Sequence, residues 1–327
     1  MAIKAIYDVA APAKLNLFLH VVGRRTDGYH LIQSVFMLID WFDTLHFELR
    51  PRGEISREDL TQPLPTDDLI VRAAKALQVA TGTTLGVHIA VEKSIPTQAG
   101  MGGGSSDAAS SLLALNRLWK LNLSLEQLTQ IGLKLGADVP FFLSGRNAWV
   151  QGVGDLLAPV DLPHARFLVA KPATGLDTAR VFSAPGLVRN TDTAILKSFA
   201  NNPFGFGQND LQAVAQELCP EIETVLAKFH EAGFAARMTG SGSAMFAHVP
   251  GGVPGDVPDD VPGGVPDDLS GHVSDNAAAD LPSDIFGAIG GEPMQGLKAL
   301  QTWCQAQGVA TKLCKNLMAH PQQHWAS

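Results

Sequence analysis

The sequence predicts an α+β protein, and three observations carry that expectation. Its 327 residues suffice for one large domain or two ordinary ones, and 46% hydrophobic residues can fill a core. Segments with period-two apolar alternation are mixed with segments of helical spacing. Their order lacks the regular strand–helix–strand repeat of a doubly wound sheet.

The first strand covers 13–22, with Leu15, Leu17, Leu19 and Val21 on one face and Lys14, Asn16, Phe18 and His20 on the other. Gly23 to Gly28 makes a turn, and strands follow at 35–39 and 45–49. A helix opens after Asp67, aligns Leu69, Ile70, Ala73, Ala74 and Leu77, and ends before Gly82. Leu85, Val87, Ile89 and Val91 alternate as a strand. After a loop at 94–104, Ala108, Ala109, Leu112, Leu113 and Asn116 recur at helical spacing. Ser124 and Gln127 form a capping box for a helix that stops near Gly136. A hairpin at 147–158 turns at Gly152-Val153-Gly154-Asp155. The second half holds a strand at 166–170, helices near 210–218 and 221–231, and strands on both sides of Gly240-Ser241-Gly242. A helix near 295–306 and a strand near 308–313 close the pattern.

The formal net charge of −8 has a local origin. Residues 250–293 contain nine acidic residues and no Lys or Arg, and setting them aside leaves 24 basic against 23 acidic residues. The rest is near neutral, so neither nucleic acid nor an anionic membrane is expected as a partner. The same segment repeats a four-residue unit from Val253-Pro254-Gly255-Asp256 to Val265-Pro266-Asp267-Asp268. Proline removes a donor and Gly and Asp favour turns, so a disordered spacer is expected there. No run of 18 apolar residues free of charge and of Gly/Pro clusters exists, so no membrane span is expected. Lys4, Asp8, Pro12 and Lys14 interrupt the first residues, which speaks against a secretory signal. Cys219, Cys304 and Cys314 fit neither a disulfide framework nor a zinc site, and a reducing cytoplasm is the expected compartment.

The densest chemical signal is Pro96-Thr97-Gln98-Ala99-Gly100-Met101-Gly102-Gly103-Gly104-Ser105-Ser106-Asp107, between a strand and a helix. Glycines allow close backbone approach, and a helix N-terminus presents free N–H groups to phosphate. The other reading is a flexible turn capped by Ser105. The segment lacks the Gly-Lys-Ser/Thr of a P-loop. Lys14 reads from pattern alone as a solvated edge charge at a strand start, a reading that Asn16 on the same face weakens because Asn is depleted in strands. Asp138, in Gly136-Ala137-Asp138-Val139-Pro140, is either an N-cap or a general base toward an alcohol. Tyr29-His30 can stack on a base and read its edge, or can cover the core from a hairpin. Met238 to Ala244 is a β-turn or a second close approach to phosphate.

Three segments in order resemble the GHMP small-molecule kinases: Ala11-Pro12-Ala13-Lys14-Leu15-Asn16-Leu17, the loop 96–106, and Thr239-Gly240-Ser241-Gly242. Leu135 to Phe142, Asp27-Gly28-Tyr29-His30 and Asn209-Asp210-Leu211 are similar to the branch whose alcohol carries a cytidine diphosphate. The likeness runs from about residue 10 to 249 and resumes after 294. It implies a two-domain fold with a cleft: a kinase domain at 1–160 and a second α+β domain at 161–327, interrupted at 250–293. It implies transfer of the γ-phosphoryl of ATP to the alcohol's 2-hydroxyl, a step of non-mevalonate isoprenoid synthesis. Homoserine or mevalonate kinases of the same family are the alternative, and a nucleotide-binding module without activity is another. The resemblance gives Lys14 and Asp138 as the catalytic pair. It gives Pro96, Thr97, Gln98, Ala99, Gly100, Met101, Gly102, Gly103, Gly104, Ser105 and Ser106 to ATP, with Ser106 at a magnesium ion that ATP carries. It gives Asn16, Tyr29, His30 and Phe182 to the substrate, and no obligate protein partner. Met101 stands where Leu is common in the family, and Gln98 where some members have Gly, which would change the early loop.

Overall fold

The computed structural model describes residues 3–251 and 292–326. The expected spacer at 250–293 therefore lies almost wholly outside the described residues. The architecture is α+β, built on one six-stranded and one four-stranded sheet.

Two long strands, β1 (Ala5–Arg24) and β2 (His30–Arg50), pair antiparallel over nearly their whole length. On its other edge β2 pairs with β4 (Gly86–Glu92) through 44–50 and with β5 (Ala148–Gln151) through 34–36. Strand β3 (Ile55–Asp59) runs parallel to β4, and β6 (Leu156–Pro159) completes a hairpin with β5. The second sheet has the order β10 (Ala310–Lys315), β7 (Arg166–Lys171), β9 (Met245–Val249), β8 (Ala236–Met238).

The strands expected at 35–39 and 45–49 are one strand. Asp40, Asp43 and Thr44 look like a break because Asp is depleted in strands. The buried carboxylate of Asp43 finds partners, however. It accepts from the Ser94 and Ile95 N–H groups at 2.6 and 2.8 Å and from Lys93 Nζ. Tertiary pairing overrides the local preference.

The alternation expected along 13–22 holds only to Leu17. A register shift between Asn16 and Leu19 reverses the faces, so Phe18 joins Leu15 and Leu17 in one core. Leu19 and Val21 pass to a different core, against β7–β9. An extra residue in one strand moves every later side chain to the other face.

Helices α1 (Leu69–Thr81), α2 (Gly103–Leu118), α3 (Leu125–Leu133) and α4 (Val139–Ser144) pack with the first sheet. Asp68 caps α1 and Gly82 ends it in the left-handed region, while Ser124 and Gln127 form the expected box on α3. Helix α2 starts five residues before the apolar spacing does, because glycines and serines fill its first turn. Beyond β7 lie α5 (Thr178–Ser183), α6 (Leu196–Asn201), α7 (Gln212–Leu218), α8 (Glu221–Glu231) and α9 (Glu292–Ala306). After β10 the chain returns to the first sheet: Leu317 N–H donates to Leu38 at 2.8 Å and His320 N–H to Gly145 at 2.8 Å. The three cysteines are free and buried. Among the described residues no helix is long and apolar enough to cross a membrane.

Candidate active site

A cleft of about 910 Å³ opens between the two sheets. Lys14 and Asn16 reach it from β1, Tyr29 and His30 from the turn before β2, Ser105 from α2, Asp138 from the start of α4, Phe182 from α5, and Gly240 and Ser241 from the turn between β8 and β9. Every residue assigned to catalysis or to the alcohol is therefore at one place.

Lys14 is buried. Its Nζ donates to Asn16 Oδ1, sits 4.6 Å over the Phe36 ring, and lies 3.8 Å from Asp138 Oδ2. Burial pushes its pKa below the ordinary lysine value, and Asp138 opposes that shift. The edge-charge reading of Lys14 is thus replaced by a buried cation that needs its carboxylate. Asn16 is itself fixed: its N–H donates to Thr239 Oγ1 at 2.8 Å and its Nδ2 to Ser34 Oγ at 2.9 Å. Asp138 occupies the N-cap position of α4, with Pro140 in the first turn, but makes no side-chain capping bond. Its carboxylate lines the cleft, paired with Lys14 instead of with the helix.

The glycine-rich loop and the second small-residue turn fit each other. A Cβ on Gly242 would stand 2.0 Å from Gly100 N, and one on Gly100 would stand 2.4 Å from Thr239 O. No side chain can enter that space. The contact is closed by Ser243 N–H donating to Gln98 and Ala244 N–H to Ala99, both at 3.2 Å. The turn at 238–244 therefore braces the loop, and Asn209 braces the turn by donating to Met238 and Gly240 carbonyls at 2.9 Å. Gln98 holds a φ of 53°, in the left-handed region that favours glycine.

Within the loop, Ala99 and Met101 bury their side chains in the core. Ser105 lines the cleft. Ser106, expected at the metal, is fully buried on the other side of α2, and its Oγ has no hydrogen-bond partner among the described residues. Helical periodicity separates the two serines by about 100°, so only one can face the ligand. Of residues 96–106, Ser105 is the one that lines this cleft. The N–H groups of Gly103, Gly104 and Ser105 precede any i−4 carbonyl of α2 and stand beside it. Beneath the loop, Lys93 Nζ bridges Asp43 and Asp107, and burial with the neighbouring Asp43 charge drives Asp107 up to about 8 against the pull of Lys93.

Tyr29 is 63% exposed, so it does not cover the core. The His30 and Phe182 rings lie 5.1 Å apart, tilted by 33°. Sequence reasoning missed Thr178, whose Oγ1 meets Ser241 Oγ at 2.7 Å on the cleft wall, and Arg189, which donates to His30 Nε2 at 3.0 Å. Asp177 before Thr178 is a readable helix cap, whereas Arg189 carries no local signal.

The N-terminal domain model of the GHMP kinases matches residues 68–146, and their C-terminal domain model matches residues 188–253. Fold, loop and cleft together define a small-molecule kinase of that class. A 4-diphosphocytidyl-2-C-methyl-D-erythritol kinase of Albidiferax ferrireducens is 66% identical over 244 residues, covering 75% of this chain and 85% of that protein. One of Variovorax paradoxus is 60% identical over 264 residues, covering 76% and 89%. The chain belongs to the 4-diphosphocytidyl-2-C-methyl-D-erythritol kinase family. A crystal structure of a 4-(cytidine 5'-diphospho)-2C-methyl-D-erythritol kinase superposes with a TM-score of 0.68 at 30% identity, covering 94% of this chain and 98% of the other. A homoserine kinase from Cytophaga hutchinsonii, at 14% identity, TM-score 0.63 and coverage of 98% and 96%, shares the fold alone.

Proposed function

We propose that this kinase transfers the γ-phosphoryl of ATP to the 2-hydroxyl of 4-(cytidine 5'-diphospho)-2-C-methyl-D-erythritol, a step of isoprenoid precursor synthesis. The observation that carries the site assignment is the Lys14–Asp138 pair in the cleft that also holds Tyr29, His30 and Phe182. In this reading residues 1–160 and 161–327 are the two domains, each built on one sheet. The free, buried thiols support a reducing, cytoplasmic setting.

Asp138 accepts the proton as the hydroxyl oxygen bonds to the γ-phosphorus and the bond to the β,γ-bridging oxygen breaks, releasing ADP. Lys14 orients Asp138 and offsets charge on the transferring group. The free N–H groups at the start of α2 hold phosphate oxygens. Tyr29, His30 and Phe182 hold the cytosine. Among the described residues no cluster of three His, Cys, Asp or Glu could hold a metal alone. The donors present fit magnesium that comes with the nucleotide, since that ion is ordinarily bound by phosphates and one or two protein oxygens. Ser105 Oγ would hold it, and bound there it would supply positive charge against the phosphates of ATP.

A coupled ADP-release assay over a panel of alcohols tests the reading. ADP release with the cytidylylated methylerythritol, and none above background with homoserine or mevalonate, is expected. Preference for either of the latter would overturn it.

A further inference from the structure

Arg189 lies in the chain between α5 and α6 and is not part of the cleft lining. Its Nε donates to His30 Nε2 at 3.0 Å. Its Nη1 donates to the Leu187 carbonyl at 2.9 Å, and its Nη2 to those of Ala184 at 2.8 Å and Phe182 at 3.3 Å. Three backbone carbonyls thus aim the guanidinium at one ring nitrogen, 159 residues away in sequence. A guanidinium donates only and keeps its protons in proteins. Nε2 of His30 must therefore present a lone pair, and the proton of the neutral ring sits on Nδ1. Burial, then Arg189 and Arg24, lower the His30 pKa, which keeps the ring neutral. Nδ1 makes no hydrogen bond to the described residues, and the ring stands in the cleft wall beside Phe182.

We propose that Arg189 is a positioning residue that sets the choice of base, because it holds His30 as a fixed Nδ1–H donor toward the pyrimidine edge. The inference rests on the cytidylyl substrate assigned above. Cytosine presents acceptors at N3 and O2. Uracil carries a proton at N3, so a fixed donor meets another donor there. An unrestrained histidine can change tautomer and accept from uracil. With Arg189 in place that change sets two donors against each other at Nε2, and a buried unpaired donor is costly. The same guanidinium ties the end of α5 to His30 and so keeps the Phe182 ring in register with it.

The test compares the cytidine and uridine diphosphate forms of the alcohol as substrates for wild type, Arg189→Met and Arg189→Lys. Tm and the KM for ATP report on the fold. Wild type should prefer the cytidine form by roughly tenfold or more, the scale of one mismatched buried hydrogen bond. Arg189→Met should bring that ratio close to one through KM while the KM for ATP stays put. Arg189→Lys, which keeps a donor, should retain most of the preference. An unchanged ratio in Arg189→Met would overturn the proposal. Should that variant not fold, long-range proton–nitrogen spectra of wild type labelled in its histidine rings decide the matter. They should show the His30 proton on Nδ1, and a proton on Nε2 would overturn the proposal. If wild type accepts neither diphosphate alcohol, the substrate reading fails, and the same spectra still judge Arg189.

Discussion

Lys14 Nζ lies 3.8 Å from Asp138 Oδ2, and the two side chains differ in access: the lysine is 5% exposed and the aspartate 30%. The buried partner is the cation. Substrate can reach the carboxylate, while the ammonium acts from behind it, held by Asn16 and the Phe36 ring. This order of access supports the proposed roles, in which Asp138 takes the proton and Lys14 supplies the orienting charge.

Asp138→Asn should keep the fold and the KM for ATP and lose most of kcat. The side chain makes no capping bond whose loss would unsettle α4. A positioned base contributes about 10²–10⁴-fold in rate. Steady-state kinetics at saturating ATP check this, and a rate near that of wild type would return Asp138 to a structural role.

The proton on Lys14 should leave at a lower pH than that of a free lysine, because burial outweighs Asp138. A decline in kcat on the alkaline side is expected, with an apparent pKa below 10.5. The stability term runs the other way. Between the folded and unfolded pKa values the unfolded chain binds the proton more tightly, so the contribution of Lys14 to stability rises with pH. Wild type should thus gain Tm relative to Lys14→Met over the window in which it loses activity. Parallel loss of both would point to unfolding instead.

Gly242→Ala should weaken the loop from outside it. The new methyl would overlap backbone atoms of Ala99 and Gly100, at 2.1 and 2.0 Å, which cannot move aside as a side chain could. Overpacking of this kind costs about 1–3 kcal/mol or more. Tm should fall and the KM for ATP should rise, whereas Gly82→Ala, with open space around its Cβ, should leave the KM for ATP unchanged.

Tyr29→Ala should raise the KM for the cytidylyl substrate with little change for ATP. Stacking of a base on an aromatic ring is worth about 1–3 kcal/mol, which is roughly tenfold or more. The exposure of Tyr29 argues that Tm will not follow. Equal rises in both KM values would mean the turn supports the fold and not the base.

Particular residues explain what the sequence disclosed. The capping box at Ser124, the end of α1 at Gly82 and the hairpin of β5 and β6 are written in local chemistry, and each stands where that chemistry puts it. The bulge after Asn16 is not local, because the shift exists only in the pairing of β1 with β2. Helices α5 and α6 have six residues each, too few for a periodicity to show. The site residues Lys14, Asn16, Tyr29, His30 and Asp138 stood out through motif order. The choice between Ser105 and Ser106 needed the helix phase, and Arg189 needed the fold, since only packing brings it to His30. Gly240 and Gly242 left open a β-turn or a second close approach to phosphate, and the close backbone of Ala99 and Gly100, which leaves no room for a Cβ there, is visible only in the fold.

The most direct test of the account is phosphorus NMR of the reaction with ATP and the cytidylylated alcohol, run for wild type and Asp138→Asn at equal enzyme. Wild type should give one new phosphomonoester signal for each ADP formed, and Asp138→Asn should give neither over the same time. ADP formed without the monoester, or a monoester formed equally by Asp138→Asn, would contradict it.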